Sequence, residues 1–165
     1  VAAAQQDDPR IIDLSQPGAQ AAQAAEDEED DTSAKRQLAA IMFTDIAGYS
    51  RLANHDEKEA LKLIRKQLRL LKPIVAKYEG EWLKEIGDGL LLSFASSLNA
   101  VDCALAIQEK VRGHAYLDLR IGIHQGDIVR DGKDILGDGV NIASRIEPYA
   151  PIGGVAVSEL SLIHI

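Results

Sequence analysis

The chain has 165 residues, of which 26 are acidic and 18 basic, so its formal charge is −8. This length allows one domain with a buried core. Nine acids and one base lie in residues 1–34, which leaves 17 acids and 17 bases in the rest of the chain. Because the rest is neutral, nothing indicates a basic surface, and no nucleic acid polymer is expected as a partner. The low pI therefore belongs to the N-terminal segment alone.

Residues 1–36 are rich in alanine, glutamine and acids and hold few large apolar side chains. This composition predicts a disordered acidic extension, followed by a folded domain over residues 37–165. No apolar run approaches the roughly 18 residues of a membrane-spanning helix. The single cysteine, Cys103, lies in an apolar helical pattern, which indicates a buried structural thiol and fits a reducing, cytoplasmic location.

The apolar run Leu38–Phe43 predicts a buried strand, because it is short and bounded by polar residues. Asp45 follows it, and Gly48 permits a tight turn before a helical pattern. Free N–H groups of residues 46–49 are expected to point at whatever lies over the turn. One carboxylate beside several amides suits a metal-bound polyphosphate. An aspartate that only caps the following helix is the alternative.

Residues 56–79 predict a long helix from apolar side chains at three- and four-residue steps, with Pro73 expected to kink or divide it and Gly80 to cap its end. Two apolar segments then flank Asp88-Gly89, which predicts a hairpin with this pair as its two-residue turn. Lys84 would face Ser93 and share one side of the sheet with Asp88. A tight turn with a surface lysine is the alternative. The other side would pack under the helices through Leu83, Leu92 and Phe94.

Residues 96–112 predict a further helix, and the alternating segment 117–124 predicts a strand. Gln125-Gly126 is expected to turn this strand into another one that ends at Val129. His124 could be interpreted as a catalytic base. Because no second His or Cys lies at a spacing typical of metal ligands, a structural role at the strand end is favoured.

The segment Gly137-Asp138-Gly139 is expected to open a helix over residues 140–147. Asn141 and Arg145 are four residues apart and therefore share one exposed face of that helix. An amide beside a guanidinium can clamp phosphoryl oxygens, and a solvated helix face is the alternative. The order of strands and helices predicts an α+β sheet with helices packed on one face. The open face would need a partner, for which a second copy of the chain is the obvious choice.

Four ordered blocks are similar to the catalytic domain of bacterial class III nucleotidyl cyclases: FTDIAGYSRL, WLKEIGDGLLLSF, LRIGIHQGDIV and DILGDGVNIASRIEP, followed by GGVAVSE. The resemblance runs from Leu38 to Glu159. It implies an α+β fold with a ferredoxin-like, palm-type antiparallel-mixed sheet and helices on one face. The family domain usually continues with a helix and further strands, including a lysine that contacts the triphosphate. The apolar tail Leu160–Ile165 is therefore expected to mark a C-terminal truncation or a cloning remnant.

The resemblance also implies functional residues. Asp45, Asp88 and the carbonyl of Ile46 match the ligands of two Mg²⁺ or Mn²⁺ ions. The phosphate-binding segment is matched by Ala47, Gly48 and Tyr49. The pair that recognises the base is matched by Lys84 and Asp134, the residue that orients the ribose by Asn141, and the residue that stabilises charge on the reacting phosphate by Arg145.

The activity implied by the resemblance is that of an adenylyl cyclase, which converts ATP to 3′,5′-cyclic AMP and pyrophosphate. The resemblance also implies a homodimer with composite active sites, in which the metal-binding aspartates come from one protomer and the base-recognition pair, Asn141 and Arg145 come from its partner. Guanylyl cyclases typically carry Glu and Cys at the positions of Lys84 and Asp134. Two alternatives stay open: a guanylyl cyclase, and a catalytically silent module for nucleotide binding or dimerisation.

Overall fold

The computed structural model describes residues 35–131 and 134–163. The prediction of an acidic extension lies outside these residues, except that Lys35 and Arg36 already belong to the first strand. A 3-10 helix, Glu147–Tyr149, precedes the last strand. The strands and α-helices are β1 Lys35–Ile46, α1 Tyr49–His55, α2 Glu57–Lys77, β2 Glu81–Ile86, β3 Gly89–Phe94, α3 Ser97–Val111, β4 Leu119–Asp131, β5 Asp134–Leu136, α4 Asp138–Ile146, β6 Val155–Val157 and α5 Glu159–Ile163.

The strands form one sheet in the order β2-β3-β1-β4-β5, and β6 pairs with β4. The β4–β6 pairing is parallel, whereas the other pairings of the described strands are antiparallel. The central strand, β1, pairs with β4 along its whole length, from Lys35 opposite Arg130 to Ile46 opposite Leu119. A mixed, mostly antiparallel sheet with packed helices confirms the predicted α+β fold class.

Alternate residues of β1 face two separate cores. Ala40 and Met42 face the larger core, which α2 and α3 cover, whereas Ala39 and Ile41 face a smaller core that includes Ala143 of α4. The second face of the sheet was expected to be open, and α4 covers part of it. Gly122 of β4 permits this contact, because a Cβ atom there would lie 2.4 Å from the backbone nitrogen of Glu147.

The prediction of two strands joined by a turn at Gln125-Gly126 is wrong. β4 is one continuous strand of 13 residues, in which Gln125 and Gly126 pair with Ala40 and Ala39 of β1. The ladder with β1 keeps the backbone extended through both residues. Gly126 allows close approach instead of a turn, since a Cβ atom there would lie 3.2 Å from the Cα atom of Gly139.

The β2–β3 hairpin is present, but its turn is Gly87-Asp88, because Ile86 pairs with Gly89. Gly87 has the left-handed φ of 62° that such a turn requires. Gly89 serves a different purpose: a Cβ atom there would lie 2.6 Å from the carbonyl oxygen of Thr44. The hairpin turn therefore packs directly against the end of β1.

The turn at Gly87-Asp88 places Lys84 opposite Leu91, and not opposite Ser93 as predicted. Beyond Lys84, a register shift between Trp82 and Lys84 marks a β-bulge. The extra residue of this bulge reverses which side chains face which core. Leu83 consequently packs in the smaller core and not under α2 and α3. Leu92 and Phe94 do lie in the larger core, as expected.

Helix α2 was predicted over residues 56–79, and the structure has it at Glu57–Lys77 with Pro73 inside one continuous helix. It begins where the Oδ1 atom of Asp56 accepts a hydrogen bond from the Glu59 amide at 2.9 Å. The left-handed residue at its end is Glu79 (φ 57°) and not Gly80. Gly80 instead makes room for Phe94, whose Cε1 atom would lie 2.5 Å from a Cβ atom there. Of the helices in the described ranges, none combines the length and the apolar character that crossing a membrane requires.

Candidate active site

The carboxyl groups of Asp45 and Asp88 meet where β1 ends beside the β2–β3 turn. Asp88 lies in that turn, and its Oδ2 atom accepts a hydrogen bond from the Ile46 amide at 3.1 Å. A second hydrogen bond joins β3 to β1 beside it: the Leu90 amide donates to the Oγ1 atom of buried Thr44 at 3.2 Å. Two hydrogen bonds thus hold the turn against β1 and fix the two aspartates side by side.

Burial and the proximity of Asp45 change the protonation of Asp88. The pKa of Asp88 is raised to about 6, first by burial and then by its hydrogen bond with Asp45 and the charge of Asp45. Two carboxylates this close repel each other when both are ionised, and a shared proton or a bound cation removes that repulsion. The pair therefore has the electrostatic character of a cation site.

The raised pKa of Asp88 predicts that this pair destabilises the fold at neutral pH. The carboxyl titrates near 6 in the folded chain and at 3.8 in the unfolded chain, so the folded state holds more protons between these values and the free energy of unfolding falls as pH rises. Asp88→Asn should therefore raise the free energy of unfolding at pH 8 in EDTA by about 1 kcal/mol, after allowance for solvent screening, which raises Tm by about 4 °C.

The measurement is thermal unfolding of both proteins at pH 4 and pH 8. The two Tm values should converge at pH 4, where Asp88 is protonated in the wild-type chain. Asp118→Asn, a change at an exposed position, is the matched control and should leave Tm unchanged at both values. A lower Tm for Asp88→Asn at pH 8 would contradict the assignment of repulsion to this pair.

Only part of the predicted amide cluster over the turn is free. The Ile46 amide donates to the turn aspartate, and the Ala47 amide donates to the carbonyl of Asp118 at 2.8 Å. Gly48 adopts a left-handed φ of 79°, and within the described part of the chain the amides of Gly48 and Tyr49 have no hydrogen-bond acceptor. The amides that can receive a phosphate oxygen are thus those of residues 48 and 49.

Two charged residues that the sequence analysis did not single out complete the cluster. Arg120 of β4 lies opposite Asp45 in the sheet, and its Nη2 atom is 3.0 Å from the Oδ2 atom of Asp45. Its Nε atom donates to the Oε1 atom of Glu147 at 3.1 Å. Burial, and then the charge of Asp45, raises the pKa of Glu147, whereas Arg120 lowers it. The site therefore combines three acids with one guanidinium.

The donor set fits a hard cation that is completed by a ligand. In the part of the chain that the structure describes, no cluster of three or more His, Cys, Asp or Glu side chains could hold a metal ion. Asp45 and Asp88 supply two carboxylates, and Ile46, whose carbonyl is a further oxygen ligand to consider, directly follows Asp45 and donates its amide to Asp88. Mg²⁺ is commonly bound by one or two carboxylates together with water and substrate phosphates, so these residues fit an ion that arrives with a nucleotide.

The predicted base-recognition residues lie on the two edge strands of the main path of the sheet. Lys84 is exposed on β2, on the side that faces the smaller core through its partner Leu91. Asp134 begins β5, and its side chain lies outside the described part of the structure. Their joint action on a base therefore stays a prediction.

Asn141 and Arg145 are both exposed on α4, as predicted. Ala143 and Glu147, each two residues further along, are buried. Two residues correspond to a rotation of about 200° on a helix, so the polar pair points away from the face that reaches Arg120 and Asp45. One chain alone does not bring Asn141 and Arg145 to the two aspartates.

Two other candidate groups are structural. His124 is buried, its Nδ1 atom lies 2.8 Å from the Oγ atom of Ser158, and burial lowers its pKa. Cys103 is fully buried, and burial raises the pKa of its thiol to about 12, which leaves the thiol unreactive. Part of the C-terminal tail is anchored as well, because Ser161 of α5 accepts a hydrogen bond from the Gln125 amide at 2.7 Å.

Comparisons with known proteins identify the family of this chain. Residues 32–162 match the family model of the adenylate and guanylate cyclase catalytic domain. A relative from Rhizobium meliloti (strain 1021) is 42% identical over 135 residues, which cover 77% of this chain and 23% of that protein. The adenylate cyclase of Streptomyces coelicolor is 32% identical over 137 residues, which cover 82% of this chain and 35% of that protein.

Solved structures show the same fold. The adenylate/guanylate cyclase/hydrolase of Silicibacter pomeroyi superimposes with a TM-score of 0.71 at 37% identity, covering 77% of this chain and 78% of that one. The adenylyl cyclase CyaB of P. aeruginosa gives a TM-score of 0.70 at 25% identity, covering 79% and 81%. This chain spans about a quarter to a third of the length of the two curated relatives above. The resemblance noted in the sequence is confirmed, and the chain belongs to the family of adenylate and guanylate cyclase catalytic domains.

Proposed function

We propose that this chain is the catalytic domain of an adenylyl cyclase, which converts ATP to 3′,5′-cyclic AMP and pyrophosphate. One observation supports this most strongly: Asp88 lies close enough to Asp45 for its pKa to be raised, beside the amides of Gly48 and Tyr49, which have no acceptor among the described residues. A pair of carboxylates next to free amides suits a cation that carries a polyphosphate. The same residues would hold two Mg²⁺ or Mn²⁺ ions through Asp45, Asp88 and the carbonyl of Ile46.

The bound cations would supply acidification of the attacking 3′-hydroxyl and neutralisation of the leaving pyrophosphate. The amides of Gly48 and Tyr49 orient phosphate oxygens, together with the Ala47 backbone that fixes the bend. Arg120 already contacts Asp45 through its Nη2 atom, and this end of the guanidinium can donate to a nearby phosphate oxygen when Asp45 binds a cation. Positioning and electrostatic stabilisation account for the catalysis of phosphoryl transfer without a protein base.

The remaining functional residues belong to the partner's site in a homodimer. Asn141 and Arg145 point away from the aspartates of their own chain, so they can act only where another protomer presents its Asp45 and Asp88. In that arrangement Asn141 orients the ribose and Arg145 stabilises charge on the reacting phosphate. Exposed apolar side chains on β2, β5 and α4 suit burial against a second copy: Ile86, Leu136 and Ile142.

Base selection is assigned to Lys84 and Asp134. A lysine can donate to a ring nitrogen of adenine, and an aspartate can accept from the 6-amino group. Guanine presents an oxygen acceptor and an N1–H donor in place of these groups, so the same pair disfavours GTP. ATP is therefore the proposed substrate.

The activity is tested by incubating the full chain with ATP and Mn²⁺ and measuring cyclic AMP and pyrophosphate by chromatography. We expect equimolar release of both products, and we expect much less cyclic GMP from GTP under the same conditions. Faster turnover of GTP would assign the chain to the guanylyl cyclases. Nucleotide binding without any cyclic product would identify a silent binding module and would refute the proposed reaction.

A further inference from the structure

We propose that Glu147 is a positioning residue for Arg120. It binds the Nε atom of the guanidinium, so that Arg120 contacts Asp45 through one nitrogen only and leaves Asp45 available for a divalent cation. The inference rests on the proposed function, because it concerns the same cation site. It assigns a role to a buried acid to which the sequence analysis gave no function.

The position of Glu147 is set by the backbone and not by its ion pair. A Cβ atom at Gly122 would lie 2.4 Å from the Glu147 nitrogen and 2.6 Å from its Cα atom, so the chain at Glu147 sits directly on β4. Gly122 is two residues from Arg120 on the same strand, and therefore on the same face. The side chain of Glu147 is only 9% exposed. A carboxylate held in this way is a fixed anchor for the arginine beside it.

Arg120 contacts both acids through different atoms. Its Nη2 atom is 3.0 Å from Asp45, and its Nε atom is 3.1 Å from Glu147, with 31% of its side chain exposed. A guanidinium that is held by its Nε edge cannot rotate to present a full bidentate edge to Asp45. Without the anchor, Arg120 is free to pair with Asp45 alone and to compete with a cation for the same oxygens. Glu147 thus weakens the competition between Arg120 and a cation for the carboxylate oxygens of Asp45.

A purely electrostatic role would also favour a cation, because Glu147 carries negative charge near the site. The two roles differ in what a shorter acid does. Glu147→Asp keeps the charge but removes one methylene, so it cannot reach the Nε atom of Arg120 without moving the backbone that Gly122 holds. Glu147→Gln keeps the length and the acceptor oxygen but removes the charge that anchors the guanidinium.

The experiment is a titration of the full chain with Mn²⁺ in the absence of nucleotide, in which free Mn²⁺ is measured by its EPR signal. Wild type is compared with Glu147→Gln, Glu147→Asp, Arg120→Gln and the double variant Arg120→Gln/Glu147→Gln, after Tm shows that each is folded. We expect both Glu147 variants to bind Mn²⁺ about threefold to tenfold more weakly, and Arg120→Gln to bind it more tightly. In the Arg120→Gln background, Glu147→Gln should have little further effect.

Two outcomes would show a direct charge effect: wild-type Mn²⁺ affinity in Glu147→Asp, or a loss of affinity on Glu147→Gln that is the same with and without Arg120. Either would overturn the positioning role of Glu147 and leave the proposed function untouched. If Glu147→Gln does not fold, Glu147→Asp with its Arg120→Gln double variant decides the question. Absence of Mn²⁺ binding by the nucleotide-free wild-type chain would overturn this proposal, whereas the proposed function is decided separately by cyclic AMP formation from ATP. Because the readout is binding, it does not depend on turnover.

Discussion

Asp45→Ala is expected to lower cyclic AMP formation at least about 1,000-fold at saturating ATP and Mn²⁺. The side chain supplies one of the two carboxylates that are proposed to hold the cations, and a divalent cation contributes several kcal/mol of transition-state stabilisation, which corresponds to a factor of about this size. The change should cost the fold little, because the side chain is 31% exposed and its ion pair with Arg120 is partly solvated. The measurement is kcat together with Tm.

Asp118→Ala is the matched control for this prediction. Asp118 is exposed and adjacent in space, since its carbonyl accepts a hydrogen bond from the Ala47 amide, and that bond survives removal of the side chain. Its activity should stay within about twofold of wild type, the range typical of a surface substitution. Turnover of Asp45→Ala near the level of this control would remove Asp45 from the metal-binding residues.

The pairing of the two aspartates was implied by the family resemblance, and the local structure of each explains how the fold brings them together. Asp45 follows an apolar strand, and Asp88 lies in a turn between two strands, so a sheet that joins the strands brings both to one end. The prediction of the turn was nevertheless one residue out. Gly89 fits a turn by type, but the carbonyl of Thr44 occupies the space beside it, and Gly87 takes the left-handed position instead.

Long-range pairing decided the features that the sequence could not show. Gln125-Gly126 has the composition of a turn, yet β1 extends far enough to pair with both residues and keeps β4 straight. The role of Gly126 depends on the start of α4, because Gly139 of that helix packs directly on the sheet at Gly126. A local sequence pattern does not predict a contact with a residue of another strand or helix.

Arg120 and Glu147 were missed for the same reason. Arg120 lies in an alternating segment where a polar side chain on one face is expected, so nothing in its surroundings in sequence sets it apart. Its importance follows from register, because it lies directly opposite Asp45. Glu147 resembles an ordinary acid at the end of an amphipathic helix until Gly122 is known to bring it down onto β4.

Mixing inactive Asp45→Ala and Arg145→Ala protomers is expected to restore activity. If each active site takes its aspartates from one chain and its arginine from the other, a mixed dimer has one intact site and one doubly altered site. Random exchange of equal amounts makes half of the dimers mixed, so the mixture should recover roughly one quarter of wild-type activity. This expectation rests on the orientation of Arg145, which is exposed on α4, whereas Glu147, directly after the helix, is buried beside Arg120.

The matched control is a mixture of Asp45→Ala with Asp88→Ala. Both changes fall on the same half of the composite site, so every dimer in that mixture keeps a defective set of aspartates and should stay inactive. Each mixture is unfolded and refolded together to allow exchange, and cyclic AMP formation is then followed against protein concentration. Equal recovery in both mixtures, or recovery in neither, would contradict a site shared between protomers. Recovery in the first mixture alone would require that Arg145 reaches across the dimer to the aspartates of its partner, because no single chain in that mixture carries both intact groups.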